Sequence, residues 1–346
     1  MLAAGRRTIT TATASRALGT TIQRQLSGAK EALSEMWRGL VSLYRETQAS
    51  RPARRALKAS ADGARSLSWH QLEAIKRNNA DLRALLPFLI VLNAPGGLIL
   101  VPALAKLMPS FLPSTFLTEA QAATVYAAHA KLRSRCASPI AAYFRGAATS
   151  DRAVADLVFA AQAGAFASPA KLAAALASLP EASQARLTFD TLPDSLLPLA
   201  AQYAGISSLR TRFLSRPRLE AALAAKYAQL ELEDVLLADT MMDDSDDIPP
   251  LTLHDLRTTC DERAIDASVD DDRASLLKSL TAWLNYTPSL YDAIPELGDA
   301  GPVTKGDLKR IHQFLYGTDD LPKPDTPHLV FSFQVLSTIN ALSRRV

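Results

Sequence analysis

Ala84 to Ala105 reads ALLPFLIVLNAPGGLILVPALA, 22 residues without a charge. An α-helix needs about 20 predominantly apolar residues to cross a bilayer, so the run is long enough to span one. Pro87, Pro95 and Pro102, with Asn93 and the pair Gly96-Gly97, make it a poor helix for a water-soluble core. In a membrane, neighbouring protein can satisfy the carbonyls that prolines set free, so the run predicts one Pro-kinked transmembrane helix over 84–105. The competing expectation is a hairpin of two short buried helices broken at Asn93-Ala94-Pro95, because Pro-Gly-Gly is also a strong turn signal.

Charge divides at the same place. The 346-residue chain has 38 Lys+Arg against 35 Asp+Glu, a net of +3. Residues 1–83 hold 15 basic and 6 acidic side chains, net +9, which leaves 23 basic and 29 acidic after them, net −6. With 48% hydrophobic residues the chain is too apolar for disorder, and 14 Gly and 20 Pro exclude collagen-like architecture. Two cysteines, Cys136 and Cys260, cannot build a disulfide framework and suit a reducing compartment.

From Met1 to Lys30 no acid occurs, and Arg6, Arg7, Arg16 and Arg24 lie among Ser, Thr and Ala. An Arg-rich, Ser-rich, acid-poor segment without a continuous apolar stretch is the composition of a mitochondrial transit peptide, set apart here from the mature fold. Residues 31–83 follow as an N-terminal helical arm. Its last helix opens at a capping box, Ser68-x-x-Gln71, and runs through Trp69, Leu72, Ile75 and Leu82 into the apolar run. Lys76, Arg77 and Arg83 precede the run and Lys106 follows it, so the positive-inside rule taken alone puts the N-terminal side in the matrix.

Ala80 to Phe116, ADLRALLPFLIVLNAPGGLILVPALAKLMPSFLPSTF, resembles the signature membrane segment of the LETM family, the leucine zipper and EF-hand-containing transmembrane proteins of the mitochondrial inner membrane. The matching residues are Ala80, Asp81, Leu82, Pro87, Phe88, Pro95, Pro102, Lys106, Leu107, Pro109 and Leu112 to Phe116, which includes Pro113 and Ser114. Family members proposed to move cations carry an Arg before the Leu-x-Pro-Phe and a Glu after the middle Pro. Ala84 and Leu98 stand there, with an arginine displaced to Arg83. An intramembrane carboxylate is costly and is kept for ion or proton handling, so its absence weighs against transport.

The rest predicts an all-α domain. Thr118-x-x-Gln121 caps a helix expected to stop near Ala137, before Pro139; Ser150 precedes a helix through Val154, Leu157, Val158 and Ala161; Ser168-Pro169 opens another. Leu196 to Ala204 ends at Gly205, and Ser215-Arg216-Pro217 starts a long helix through Leu219, Leu223, Tyr227, Leu230 and Leu237. Leu196–Leu223 and Leu253–Leu280 read as two related units, each a short helix, a bend at Gly205 or Ala264, and a second helix. Thr252-x-x-Asp255 and Ser268-x-x-Asp271 are the capping boxes of the second. That unit resembles the SAP-like element of the LETM family's ribosome-binding domain, in which a Gly usually holds the place of Ala264. Residues 301–346 read as a tail with one short helix over Asp307 to Leu315 and a final amphipathic piece, without heptads.

The resemblance implies a short family form, without EF-hand or coiled coil: a membrane segment, then a Letm1-like, 14-3-3-like ribosome-binding domain over 106–300 facing the matrix. Its implied partners are the mitochondrial ribosome, through protein or rRNA, and inner-membrane lipid, with no DNA. Because this half is net acidic, contact with rRNA requires a local basic patch. Arg210, Arg212, Arg216 and Arg218 are the densest one and Lys305, Lys309 and Arg310 the second; the acidic stretch Asp243, Asp244, Asp246 and Asp247 could meet basic ribosomal proteins. The alternative is K⁺ or Ca²⁺ exchange against protons by a homo-oligomer, with Asp81 titrating beside Lys106.

No catalytic, metal or cofactor set survives inspection. The acidic stretch lacks the spaced ligands, central Gly and terminal Glu of an EF-hand. Ser168-x-x-Lys171 has no companion motif, and the five histidines are scattered. The expectation is a tether between translation and the membrane, without bond chemistry.

Overall fold

The computed structural model describes residues 34, 37–57, 67–95, 97, 112–147, 151–242, 250–265, 271–287 and 329–344. Among them there is no strand. The chain divides into two compact units, one from 1–54 and 73–122, the other from 55–72 and 123–346.

The first unit contains α1 (37–57) and most of α2 (Trp69–Asn93). Gly39, Leu43, Ser50 and Ala53 recur at helical spacing and are buried. Arg54 Nη2 donates to the Oδ1 atoms of Asn78 and Asn79 at 2.7 and 2.6 Å, and Asn78 Nδ2 donates to Thr47 Oγ1 at 2.7 Å. The Phe116 ring lies against Gly39 and, with ring centroids 5.3 Å apart, against Phe88.

α2 continues through Pro87 but ends at Asn93, so a continuous helix over 84–105 is not what forms. The alternative break at Asn93-Ala94-Pro95 is the one observed: Ala94 N–H bonds to Val91 O at 3.2 Å and Gly97 N–H to Ala94 O at 2.8 Å. A Cβ on Gly97 would fall 2.3 Å from Val91 O, so only glycine fits this turn. Among the described residues no helix is long and apolar enough to cross a membrane. Residues 98–111, with Pro102, Lys106 and Pro109, and the proposed transit peptide 1–30, lie outside the described residues.

The second unit is built from α3 (Glu119–Ala147), α4 (Arg152–Gln162), α5 (Pro169–Ala177), α6 (Leu197–Tyr203), α7 (Ser208–Phe213), α8 (Arg216–Met242), α9 (Leu253–Glu262), α10 (Arg273–Tyr286) and α11 (Leu329–Ser343). The sequence places the stop of α3 before Pro139, yet the helix runs ten residues beyond Ala137. An internal proline costs about 3 kcal/mol. Burial of Cys136, Ala137, Ile140, Ala141 and Phe144 on one face exceeds that, while exposed Arg135 is the residue whose carbonyl loses its helical donor.

Helix punctuation moved by a residue or two elsewhere. Asp151, not Ser150, caps α4 by accepting from Val154 N–H. Ser168 holds the N-cap position of α5 with Pro169 at N1, but its side chain makes no cap bond. Asp272 caps α10, and Ser268 lies outside the described residues. The capping box Thr252/Asp255 forms as read, and Ser68 and Gln71 exchange bonds at the start of α2.

The largest departure is α11. It is not an amphipathic tail but the centre of the core: Leu329, Val330, Phe331, Phe333, Val335 and Leu336 are all at most 1% exposed. A helix that is apolar all round belongs in an interior. Phe144, Phe189, Tyr203 and Tyr227 all meet the Phe331 ring edge-on. The short helix expected over Asp307 to Leu315 lies outside the described residues.

A second cluster joins Trp69 and Leu72 with Leu236, Leu237, Leu251, Leu256, Cys260, Leu276 and Leu280. Burial pushes the Cys260 thiol up to about 12 and that of Cys136 upward too, so both are protonated at neutral pH and act as small apolar side chains.

Candidate functional site

Both helix-bend-helix units form, and each bend is a Schellman motif. After α6, Gly205 at φ +87° donates to Gln202 O and Ile206 to Ala201 O; after α9, Ala264 donates to Asp261 O and Ile265 to Cys260 O. Ala264 has φ +54°, the left-handed region that costs an L-residue about 1–2 kcal/mol. Ala264→Gly is expected to raise stability by about 1 kcal/mol. Thermal unfolding with an unchanged circular dichroism spectrum is the check, and a lowered midpoint would contradict the motif.

The first unit differs from the reading in one respect. Its second helix is two helices, because the chain straightens at Leu214, the C-cap of α7 at ψ 135°, before α8 begins. α7 is therefore a six-residue helix. The Ser207 side chain accepts from Arg210 N–H at 3.3 Å, and Thr211 is its buried position. Everything else on it faces water. Leu209 is 68% and Phe213 80% exposed, at i and i+4, with Arg210 and Arg212 exposed between them.

The four arginines predicted as one patch separate into two roles. Arg216 is structural: its Nη1 donates to Asp194 Oδ1 at 2.5 Å, its Nε to Glu220 Oε1 at 2.7 Å and its Nη2 to Asp190 O at 2.9 Å. Arg210, Arg212 and Arg218 are exposed and form no ion pair among the described residues. Arg218 also sits in the first turn of α8, which holds no acid, where the helix dipole disfavours a cation. Leu209 and Phe213 were missed in the sequence; the legible signal was two large apolar residues flanking two arginines in a segment with one inward position. Lys305, Lys309 and Arg310, and Asp243, Asp244, Asp246 and Asp247, lie outside the described residues.

The signature residues find a structural explanation in the first unit. Asp81, 3% exposed, accepts from Ser114 N–H at 2.6 Å, Ser114 Oγ–H at 2.9 Å and Thr115 N–H at 3.2 Å. The carboxylate thus caps the single 3-10 turn Ser114–Phe116, which Pro113 introduces, and fastens together the two ends of the signature. Bonds to a charged acceptor contribute about 1.5–3 kcal/mol each. Asp81→Asn keeps the shape but loses the charge and one acceptor, so a loss of about 2 kcal/mol is expected; protease sensitivity at 112–117 is the measurement.

A groove of about 880 Å³ also lies in the second unit, between α3, α10 and α11, where Tyr126, Trp283 and Tyr286 are interleaved with small residues. Its charges are spoken for: Arg133 Nη2 donates to Asp261 Oδ1 and His129 Nδ1 lies 2.8 Å from Asp261 Oδ2. No nucleophile faces an activating base there.

An all-helical domain with paired Schellman bends and an exposed basic, aromatic edge defines the class of a helical interaction module. Residues 67–295 match the family model described as LETM1-like, RBD; this is more than half of the chain, and the protein belongs to that family. The family is associated with the mitochondrial inner membrane and is not a known enzyme family. No curated protein and no solved structure matches the chain.

Proposed function

We propose that the second unit binds the mitochondrial ribosome through α7 and the start of α8, and that the apolar run 84–105 attaches the chain to the inner membrane, so that translation is held at the membrane on its matrix face. The observation that carries this is the α7 edge. Leu209 and Phe213 are exposed at an apolar cost, and Arg218 opposes a helix dipole without a compensating acid among the described residues. Features that cost stability and serve no contact inside the fold mark a binding surface. Guanidinium groups for phosphates and a ring face for stacking suit rRNA.

The full chain in detergent should co-sediment with mitochondrial ribosomes at physiological salt. Arg210→Glu with Arg212→Glu and Phe213→Ala should lower the affinity tenfold or more, about 1.4 kcal/mol. Each arginine lost should also reduce the log–log salt slope by about 0.9 if the partner is rRNA. Arg218→Glu separates function from folding: it should weaken the ribosome while stabilising α8 by about 0.5 kcal/mol. Wild-type protein that stays in the supernatant would sink the proposal.

Support for membrane attachment comes from the uncharged length of the run and from α2, which exposes Leu82, Leu86 and Ile90 in one line as it enters it. Asp81 is engaged as a cap, so no observation favours ion exchange.

A further inference from the structure

α1 has an outward face with its own chemistry. Trp37 is 68% and Tyr44 64% exposed, seven residues or two turns apart on one line, and Arg51 lies two turns further along it. Arg38 and Arg45 follow Trp37 and Tyr44 and are exposed beside them. Between residues 37 and 57 the sequence holds five arginines and one acid, Glu46. Glu46 turns to the inner side, 3.6 Å from Arg77, and Arg54 turns inward to the asparagines. Arg38, Arg45 and Arg51 form no ion pair among the described residues.

The position of this face matters as much as its composition. Gly39 touches Phe116, which touches Phe88, so Trp37 sits at the end of α1 that packs beside the beginning of the uncharged run. The same unit exposes Leu82, Leu86 and Ile90. Within one unit, then, an apolar line leads into the run and an aromatic, acid-free arginine face flanks it.

We propose that this face of α1 binds an anionic lipid surface, with Trp37 and Tyr44 seated at the headgroup level and Arg38, Arg45 and Arg51 on lipid phosphates. Trp and Tyr place an apolar ring and a polar edge where a bilayer changes from one to the other, and arginine is attracted by anionic headgroups. RNA would use similar groups, but an RNA site gives no reason for the apolar line beside it. The proposal rests on membrane attachment through 84–105, and its test keeps the two apart.

Trp37 is its own probe, because the other two tryptophans, Trp69 and Trp283, are 2% exposed. The full chain is reconstituted into vesicles of phosphatidylcholine and diphosphatidylglycerol at about four to one, and into phosphatidylcholine alone. Lipids brominated near the headgroup should quench Trp37 emission at least twofold in the anionic vesicles. Trp37→Phe should abolish that quenching while the protein still floats with the vesicles. Arg38→Gln with Arg45→Gln and Arg51→Gln should remove the difference between the two lipid compositions. Trp37 that stays open to aqueous acrylamide in protein that floats overturns the proposal and leaves membrane attachment standing. Protein that does not float overturns both, and a Trp37 response to ribosomal RNA in place of lipid assigns the face to RNA.

Discussion

Asp234→Ala is expected to lower the unfolding free energy by about 3–5 kcal/mol, as much as many whole domains can lose and still fold. Asp234 lies on α8 and Arg263 at the end of α9, both buried. Arg263 Nε donates to Asp234 Oδ1 at 2.6 Å, Nη2 approaches the same oxygen at 2.5 Å, and Nη1 donates to Thr259 O at 3.1 Å. Trp283 Nε1–H of α10 donates to Asp234 Oδ2 at 2.9 Å. One carboxylate therefore joins three helices. Removing it leaves a guanidinium and an indole N–H without their acceptor in a site closed to water, and the desolvation penalty of the cation dominates. The double variant Asp234→Leu with Arg263→Met should regain most of the loss, short of about 1–3 kcal/mol for the orphaned indole. Urea unfolding followed by tryptophan emission gives both values. A single variant within about 1 kcal/mol of wild type would show that the pair is hydrated or replaceable.

Arg263 shows how far the sequence could be read. Its place before the bend at Ala264 was visible, because a short helix, a turn residue and a second helix recur with the same punctuation after Leu196 and after Leu253. Capping residues act over three positions and prolines and glycines over one, so helix starts and bends are local facts, legible without the rest of the chain. What Arg263 binds was not legible, since Asp234 is 29 residues earlier and Trp283 belongs to the next helix. Asp81 and Ser114 stood in the signature for the same hidden reason, a bond across 33 residues. Pro139 misled because its cost is local and its compensation, the burial of Ile140 and Phe144, is tertiary.

The binding edge divides in the same way. A cluster of four arginines was evident from composition, but composition cannot tell a guanidinium held by Asp194 and Glu220 from three that face water. Nor does a hydrophobicity pattern distinguish Phe213, at 80% exposure, from Phe189, at 2%. Both are single aromatic residues in short helices. Only the course of the neighbouring chain decides which one is covered.

Phe331→Ala is the second large effect, about 3–5 kcal/mol, since a buried phenylalanine cut to alanine leaves a cavity that the surrounding helices fill only in part. Four aromatic rings meet Phe331 edge-on with centroids 5.9 to 6.5 Å away, from α3, the segment before α6, α6 and α8. Such pairs add to area burial, so the loss should lie at the upper end of the range. Phe213→Ala provides the contrast: an exposed ring should change stability by no more than about 0.5 kcal/mol. If the two variants unfold at the same denaturant concentration, α11 is not the core helix. The consequence reaches the functional test. A fragment ending near residue 300 removes α11 and with it the partner of Phe144, Phe189, Tyr203 and Tyr227, so it should bind hydrophobic dye and unfold without a sharp transition. Failure of such a fragment to bind ribosomes would report lost packing, whereas the full chain with Arg210, Arg212 and Phe213 replaced reports the surface itself.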